Sequence, residues 1–206
     1  MTEDESASAD FAGNLAFVKA LVSEGGQTQA TGGSIFLLAG LCYGIQCLVQ
    51  DGQIRGWLPA SPVLFLMSSI VPSVVFTAGL CIILWRGRGQ GAHGVATRAL
   101  NAAFGSAGLA NLFMVFVFGY NALTQKSLAI WFYYPCVVCA FQGAVWYIAY
   151  MIRRKVWLAF ASAGWFVTTV ALGLTVRDIP TYVLILGLAL TVLMGGSGWY
   201  MMRQAK

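Results

Sequence analysis

Along most of this chain the apolar residues come in unbroken blocks, and the polar and charged residues gather in short gaps between them. The clearest block runs from Leu128 to Ile152 without a formal charge and then meets Arg153, Arg154 and Lys155. A run of that length predicts a helix that crosses hydrocarbon, because a span needs about 20 consecutive apolar residues. A membrane barrel would show alternating polarity instead. Five more blocks have the same character, over about 33–49, 62–85, 97–122, 156–176 and 180–202. The pattern therefore predicts an all-α fold, a polytopic membrane bundle of six transmembrane helices in one domain over 31–203. Ser61 before Pro62 reads as a helix start with a capping hydroxyl, and Asp178 reads as the cap of the sixth helix.

The chain ahead of these blocks differs. Residues 1–9 are acidic and polar and read as a disordered tail with no basic n-region, so no cleavable signal peptide is expected. From Asp10 to Glu24, Phe11, Leu15, Val18 and Val22 recur at helical spacing, and Gly25 and Gly26 end the pattern. This short amphipathic helix is too polar to span. It has three places to go: the lipid interface, the bundle itself, or a protein partner that takes the face carrying those four residues.

Composition sharpens the picture. Hydrophobic residues make up 59% of the chain and charged ones 9%, against about 25% charged in soluble domains. The net charge of +5 comes from basic residues in the gaps, so it reports orientation and gives no reason to expect a nucleic-acid partner. If both termini share a side, that side holds nine Lys and Arg residues: Lys19, Arg86, Arg88, Arg98, Arg153, Arg154, Lys155, Arg203 and Lys206. The other holds three, Arg55, Lys126 and Arg177. The positive-inside rule then predicts cytoplasmic termini and a cytoplasmic (inner) membrane location. Trp57, Trp131, Tyr133, Tyr134, Trp157, Trp199 and Tyr200 fall near span ends, where interfacial aromatics belong. No inverted repeat is evident, since Pro72 and Pro135 lack counterparts in the matching spans of the other half.

No Asp, Glu, Lys, Arg or His falls in the middle of a span, which disfavours proton relays, voltage sensing and ion-coupled transport. The single histidine, His93, lies in the loop GRGQGAHG, so bis-histidine haem is not expected, and no intramembrane lysine is available for a retinal Schiff base. No cofactor is expected. Cys136 and Cys139 form a CxxC in the middle of the fourth span. Hydrocarbon suppresses thiolate chemistry, so packing is the main reading, with redox exchange or a soft metal ion held by these thiols as the alternative.

The polar groups of the spans are more promising. Trp131, Pro135, Cys139, Gln142, Trp146 and Ala149 share a face of the fourth helix that should point inward. Gln142 needs a hydrogen-bond partner, and Asn111, Thr168 and Thr169 are candidates at similar depth. Asn111, Gln142, Trp131 and Trp146 are accordingly the candidate ligand-binding residues, with ordinary interhelical hydrogen bonding as the plain alternative. Small residues at Ala99, Ala103 and Ala107, and at Gly40 and Gly44, allow close helix approach within one chain or in a homodimer. Gly195, Gly196 and Gly198 read equally as a hinge or as close packing.

FVKALVSEGG ahead of the first span and AVWYIAYMIRRKVW at the end of the fourth together resemble bacterial six-span membrane proteins with an F-x-[KR]-A-L-x-x-E-G segment and a basic cytoplasmic turn followed by tryptophan. The resemblance implies a bacterial cytoplasmic membrane and brings no activity with it. With no nucleophile beside a base and no metal cluster in the sequence, the leading expectation is a non-enzymatic regulatory or sensory protein that meets a cytoplasmic protein partner. The second is a carrier or channel for a small neutral or apolar solute, and the third is thiol redox or soft-metal binding.

Overall fold

In hydrocarbon every backbone amide must find its partner within the chain, and long apolar segments meet that demand as helices. The computed structural model describes residues 30–59, 61–87 and 95–204. Six helices among them are long and apolar enough to cross a membrane: α1 (Ala30–Ile54), α2 (Pro62–Arg86), α3 (Val95–Thr124), α4 (Leu128–Arg153), α5 (Val156–Thr175) and α6 (Ile179–Gln204). No strand occurs among the described residues. The protein is an all-α, multi-pass membrane bundle. Residues 1–29, including the segment of Phe11, Leu15, Val18 and Val22, lie outside the described residues, as does His93.

The first helix runs to Ile54, past the Val49 expected from polarity alone. Asp51, 3% exposed, would end an apolar span if left charged and alone. Arg55 Nε donates to both of its carboxylate oxygens at 2.9 Å, so the charge is paired one turn on and the helix continues. Gly56, at a φ of +75°, then stops it in the left-handed conformation that glycine tolerates. The capping expectations fare differently. Neither Ser61 nor Asp178 makes a side-chain cap bond. At α6, Pro180 removes one of the two amides that the Asp178 carboxylate could accept from.

Packing follows residue size. α3 packs on α4, α4 on α5, and α5 on α6, while α6 closes against α1 where both carry glycine. A β-carbon on Gly40 would lie 2.6 Å from Gly195 Cα and 2.8 Å from the Leu190 carbonyl oxygen. One on Gly198 would lie 2.6 Å from the carbonyl oxygen of Gly33. Gly195 and Gly198 thus serve close packing, whereas Gly196 faces open space. Over Leu190–Gly196, α6 widens into a π-helical stretch, and this is the part that meets Gly40 and Gly44. On the other flank the Ser162 hydroxyl of α5 donates to the Gly143 carbonyl of α4 at 2.8 Å.

α2 has no buried residue. It leans on α1 through the Tyr43–Phe76 ring pair, with centroids 5.4 Å apart, and through Gln50 Nε2, which donates to Ser69 Oγ at 3.1 Å.

The α3–α4 turn carries a strained residue, Lys126, at a φ of +50°. Lys126→Gly is expected to raise stability by about 1 kcal/mol by removing the left-handed penalty of a side chain. A thermal unfolding midpoint at or below that of the parent protein would contradict this.

Candidate functional site

The site starts from one side chain. Trp146, on α4, is 1% exposed and sits among rings from three other helices. Phe104 of α3 meets it edge-on at 5.5 Å, Phe36 of α1 lies at 5.2 Å, and Trp157 of α5 at 5.7 Å. Phe36 and Phe104 also touch, at 5.1 Å, and Trp157 passes the chain of rings on to Tyr200 of α6. Edge-to-face geometry matches positive ring edges to negative ring faces. The cluster ties five helices together, all except α2. Trp157 and Tyr200 were expected as lipid-interface residues; here their rings pack against each other and carry the cluster toward α6.

Because α2 stays outside the cluster, a cavity of about 700 Å³ opens between it and the rings. Its α2 wall includes Phe76, Leu80 and Leu84, and its α3 wall includes Phe104, Gly105 and Gly108. Thr31 and Phe36 of α1, Asn101 of α3, Gln142, Trp146 and Arg153 of α4, Trp157 of α5 and Met201 of α6 also line it. All of these residues fall toward the end of the bundle that carries the α4–α5 turn and the C-terminal end of α6, the more basic side by count. Among the described residues no Asp or Glu lines the cavity, and Arg153 is its one charged lining residue.

Three residues of its wall carry unpaired polar atoms. Gln142 Oε1, Trp146 Nε1 and Trp157 Nε1 are buried without a hydrogen-bond partner in the protein, and all three residues line the cavity. Four other buried polar atoms among the described residues, on Gln46, Gln53, Asn111 and Trp165, also lack partners but do not line it. An unpaired group alone is therefore no mark of a site. Gln142, Trp146 and Trp157 reach the void through other atoms, since the unpaired atoms themselves are enclosed.

The residues singled out from the sequence divide. Gln142 and Trp146 come together, one helical turn apart on the cavity wall. Asn111 does not line the cavity, and the oxygen meant to pair with Gln142 is itself unpaired. The Phe104–Trp146 and Phe118–Tyr134 contacts set an antiparallel register that places Asn111 near the level of Cys139. The threonines considered as partners bond within their own helix, Thr168 to the Gly164 carbonyl and Thr169 to that of Trp165. Trp131 is 37% exposed and stacks on Tyr134 at 5.4 Å. It lies fifteen residues from Trp146, roughly 22 Å along the helix, and belongs to a different region.

Cys136 and Cys139 are buried and free. The Cys136 thiol donates to the Phe132 carbonyl at 3.6 Å, as does the hydroxyl of Tyr182, which is 1% exposed. Among the described residues no group of three or more His, Cys, Asp or Glu is placed to hold a metal ion. This thiol pair sits in the packed core with Cys47 and Tyr182. The residues that sequence reasoning missed are Phe36, Phe76, Phe104, Gly105 and Gly108. In a chain this apolar an inward phenylalanine and a lipid-facing one carry the same pattern, so no sequence signal separated them. No protein-family model matches the chain, and neither the curated proteins nor the solved structures include a significant match to it.

Proposed function

We propose that this chain is a non-enzymatic solute-binding protein of the bacterial cytoplasmic membrane, a carrier for a small apolar or neutral molecule. One observation carries the reading: a cavity of about 700 Å³ lined mainly by apolar side chains, with a few convergent polar groups, which is the usual make-up of a small-molecule site. The volume falls within the range of such sites, about 300–1,000 Å³. Among the described residues no carboxylate lines the cavity, which argues against a cation. The expected regulatory partner would take the face of Phe11, Leu15, Val18 and Val22, which lies outside the described residues, so the solute reading now has the stronger support. Cytoplasmic placement of the basic end follows from the excess of Lys and Arg there. The cavity mouth would then face the cytoplasmic leaflet.

The test uses bromoundecane, whose bromine quenches tryptophan fluorescence on contact. With the protein in phosphatidylcholine nanodiscs, lipid-facing tryptophans give quenching proportional to the probe, and Trp146 and Trp157 should add a component that saturates. Gly105→Leu with Gly108→Leu fills the cavity from its α3 wall. A β-carbon at either position meets nothing within 4 Å, and leucine is the better helix former, so the variant should fold. It should lose the saturable component. Purely proportional quenching in the parent protein would end the proposal.

A further inference from the structure

We propose that the cavity is also a lipid site, in which an acidic phospholipid of the cytoplasmic leaflet places one acyl chain with its charged head at Arg153. The chain and the solute proposed above would exclude each other, but the lipid site stands without the solute.

The lining changes character along its length. Thr31 stands in the first turn of α1, Thr97 and Asn101 in the first two turns of α3, and Arg153 at the last residue of α4. Apart from Gln142, its charged and hydroxyl or amide side chains therefore gather at the basic end. Farther in, Phe76, Leu80, Phe104 and Gly108 line it instead. Phe76 lies ten residues from Arg86 at the end of α2, and Gln142 eleven from Arg153, in each case roughly 15 Å along the helix. A hydrocarbon core about 30 Å thick gives each leaflet about half of that. The void is as deep as one leaflet, with head-group chemistry at one end and acyl-chain chemistry along the rest.

Its walls adjoin the bilayer. The α2 wall belongs to a helix with no buried residue, and Gly105 and Gly108 on the α3 wall are exposed. An apolar void beside lipid fills with acyl chain, because left empty it forfeits dispersion contacts on every side. A two-chained lipid can enter with one chain and keep the other outside.

The sign of the head follows from charge. Arg86 ends α2, Arg98 stands near the start of α3, and Arg154 and Lys155 follow Arg153 in the α4–α5 turn. The two carboxylates among the described residues, Asp51 and Asp178, lie at the opposite end of the bundle. Basic groups between spans on the cytoplasmic side attract acidic head groups, each worth about fivefold in affinity near the surface. Arg153 is the one that lines the cavity, and a guanidinium can grip a phosphate through two parallel N–H bonds. Phosphatidylcholine carries the same phosphate with a cation beside it, which the arginines repel.

The experiment follows tryptophan quenching in phosphatidylcholine vesicles to which dibromostearoyl phosphatidylglycerol or dibromostearoyl phosphatidylcholine is added. Lipid-facing tryptophans give quenching that tracks the mole fraction of brominated lipid. Trp146 and Trp157 should add a component that saturates, and phosphatidylglycerol should saturate it at no more than about one-fifth the mole fraction that phosphatidylcholine needs. Gly105→Leu/Gly108→Leu should remove that component for both lipids; its survival would overturn entry of the chain. Arg153→Gln should raise the half-saturating share of phosphatidylglycerol about fivefold, while Arg153→Lys, which keeps the charge, should stay near the parent. Equal losses in the two variants would overturn the role of the charge. Arg203, whose guanidinium sits 4.3 Å from the Trp199 ring centroid and does not line the cavity, is the control. If Arg203→Gln weakens phosphatidylglycerol as much as Arg153→Gln does, the preference belongs to a general basic surface and the site falls. Equal half-saturation by the two lipids in the parent would overturn the acidic head, and a preference that emerges only in Asp10→Asn/Glu24→Gln would make the chain's own acidic residues the occupant at Arg153. Purely proportional quenching by bromoundecane would end the solute reading and leave the lipid site to its own titration.

Discussion

Gly40→Leu is expected to abolish the folded bundle. The β-carbon alone would fall within 2.6 Å of Gly195 Cα, a separation backbone atoms cannot share, and the remaining leucine atoms have nowhere to go but between α1 and α6. Overpacking in a core commonly costs about 1–3 kcal/mol when the neighbour is a side chain that can turn aside. Here the neighbours are the backbone of Gly195 and the Leu190 carbonyl, so the helices must separate, and the cost should exceed about 4 kcal/mol, the range reserved for severe lesions. Size-exclusion chromatography of the solubilised variant should show loss of the monodisperse peak. Gly196→Leu is the matched control, since a β-carbon there meets nothing within 4 Å, and it should elute like the parent. A well-behaved Gly40→Leu protein would mean that α1 and α6 are not in backbone contact.

Trp146→Ala should follow in severity. The side chain is almost wholly enclosed and joins rings of α1, α3 and α5, so truncation removes a shared contact and enlarges the adjoining cavity. Substitutions of this kind cost about 3–5 kcal/mol in well-packed interiors. Trp146→Phe retains much of the ring packing and should recover most of that loss while still lacking the N–H. Thermal unfolding of the three proteins should therefore rank parent, then phenylalanine, then alanine. A phenylalanine variant as unstable as the alanine one would place the residue's importance in the N–H and not in the ring.

Much of the architecture could be read from the residues, because hydrocarbon imposes its demands in one dimension. Blocks such as Leu128–Ile152 must be helical and long enough to cross, and the basic clusters mark where they end. The least legible helix end was that of α1, where Asp51 looks like a loop residue until Arg55 is seen to neutralise it. The site was half legible. Gln142 stood out because a carboxamide in an apolar span needs an explanation, and Trp146 because it shares that face. The expected pairing of Gln142 with Asn111 was a guess about which faces meet, and faces depend on helix rotation, which apolar periodicity barely encodes when every side is apolar. The CxxC, conspicuous in sequence, occupies the packed interior beside Tyr182.

The isolation of α2 has one more consequence. A helix with no fully buried residue, touching α1 through one ring pair and one hydrogen bond, owes much of its placement to its own transfer into hydrocarbon, so for the cavity the surrounding lipid tails act as building material. Bilayer thickness and acyl-chain order then become determinants of the site's shape. The same polypeptide in a thin, fluid membrane and in a thick, ordered one would present two differently proportioned pockets without the change of a single residue.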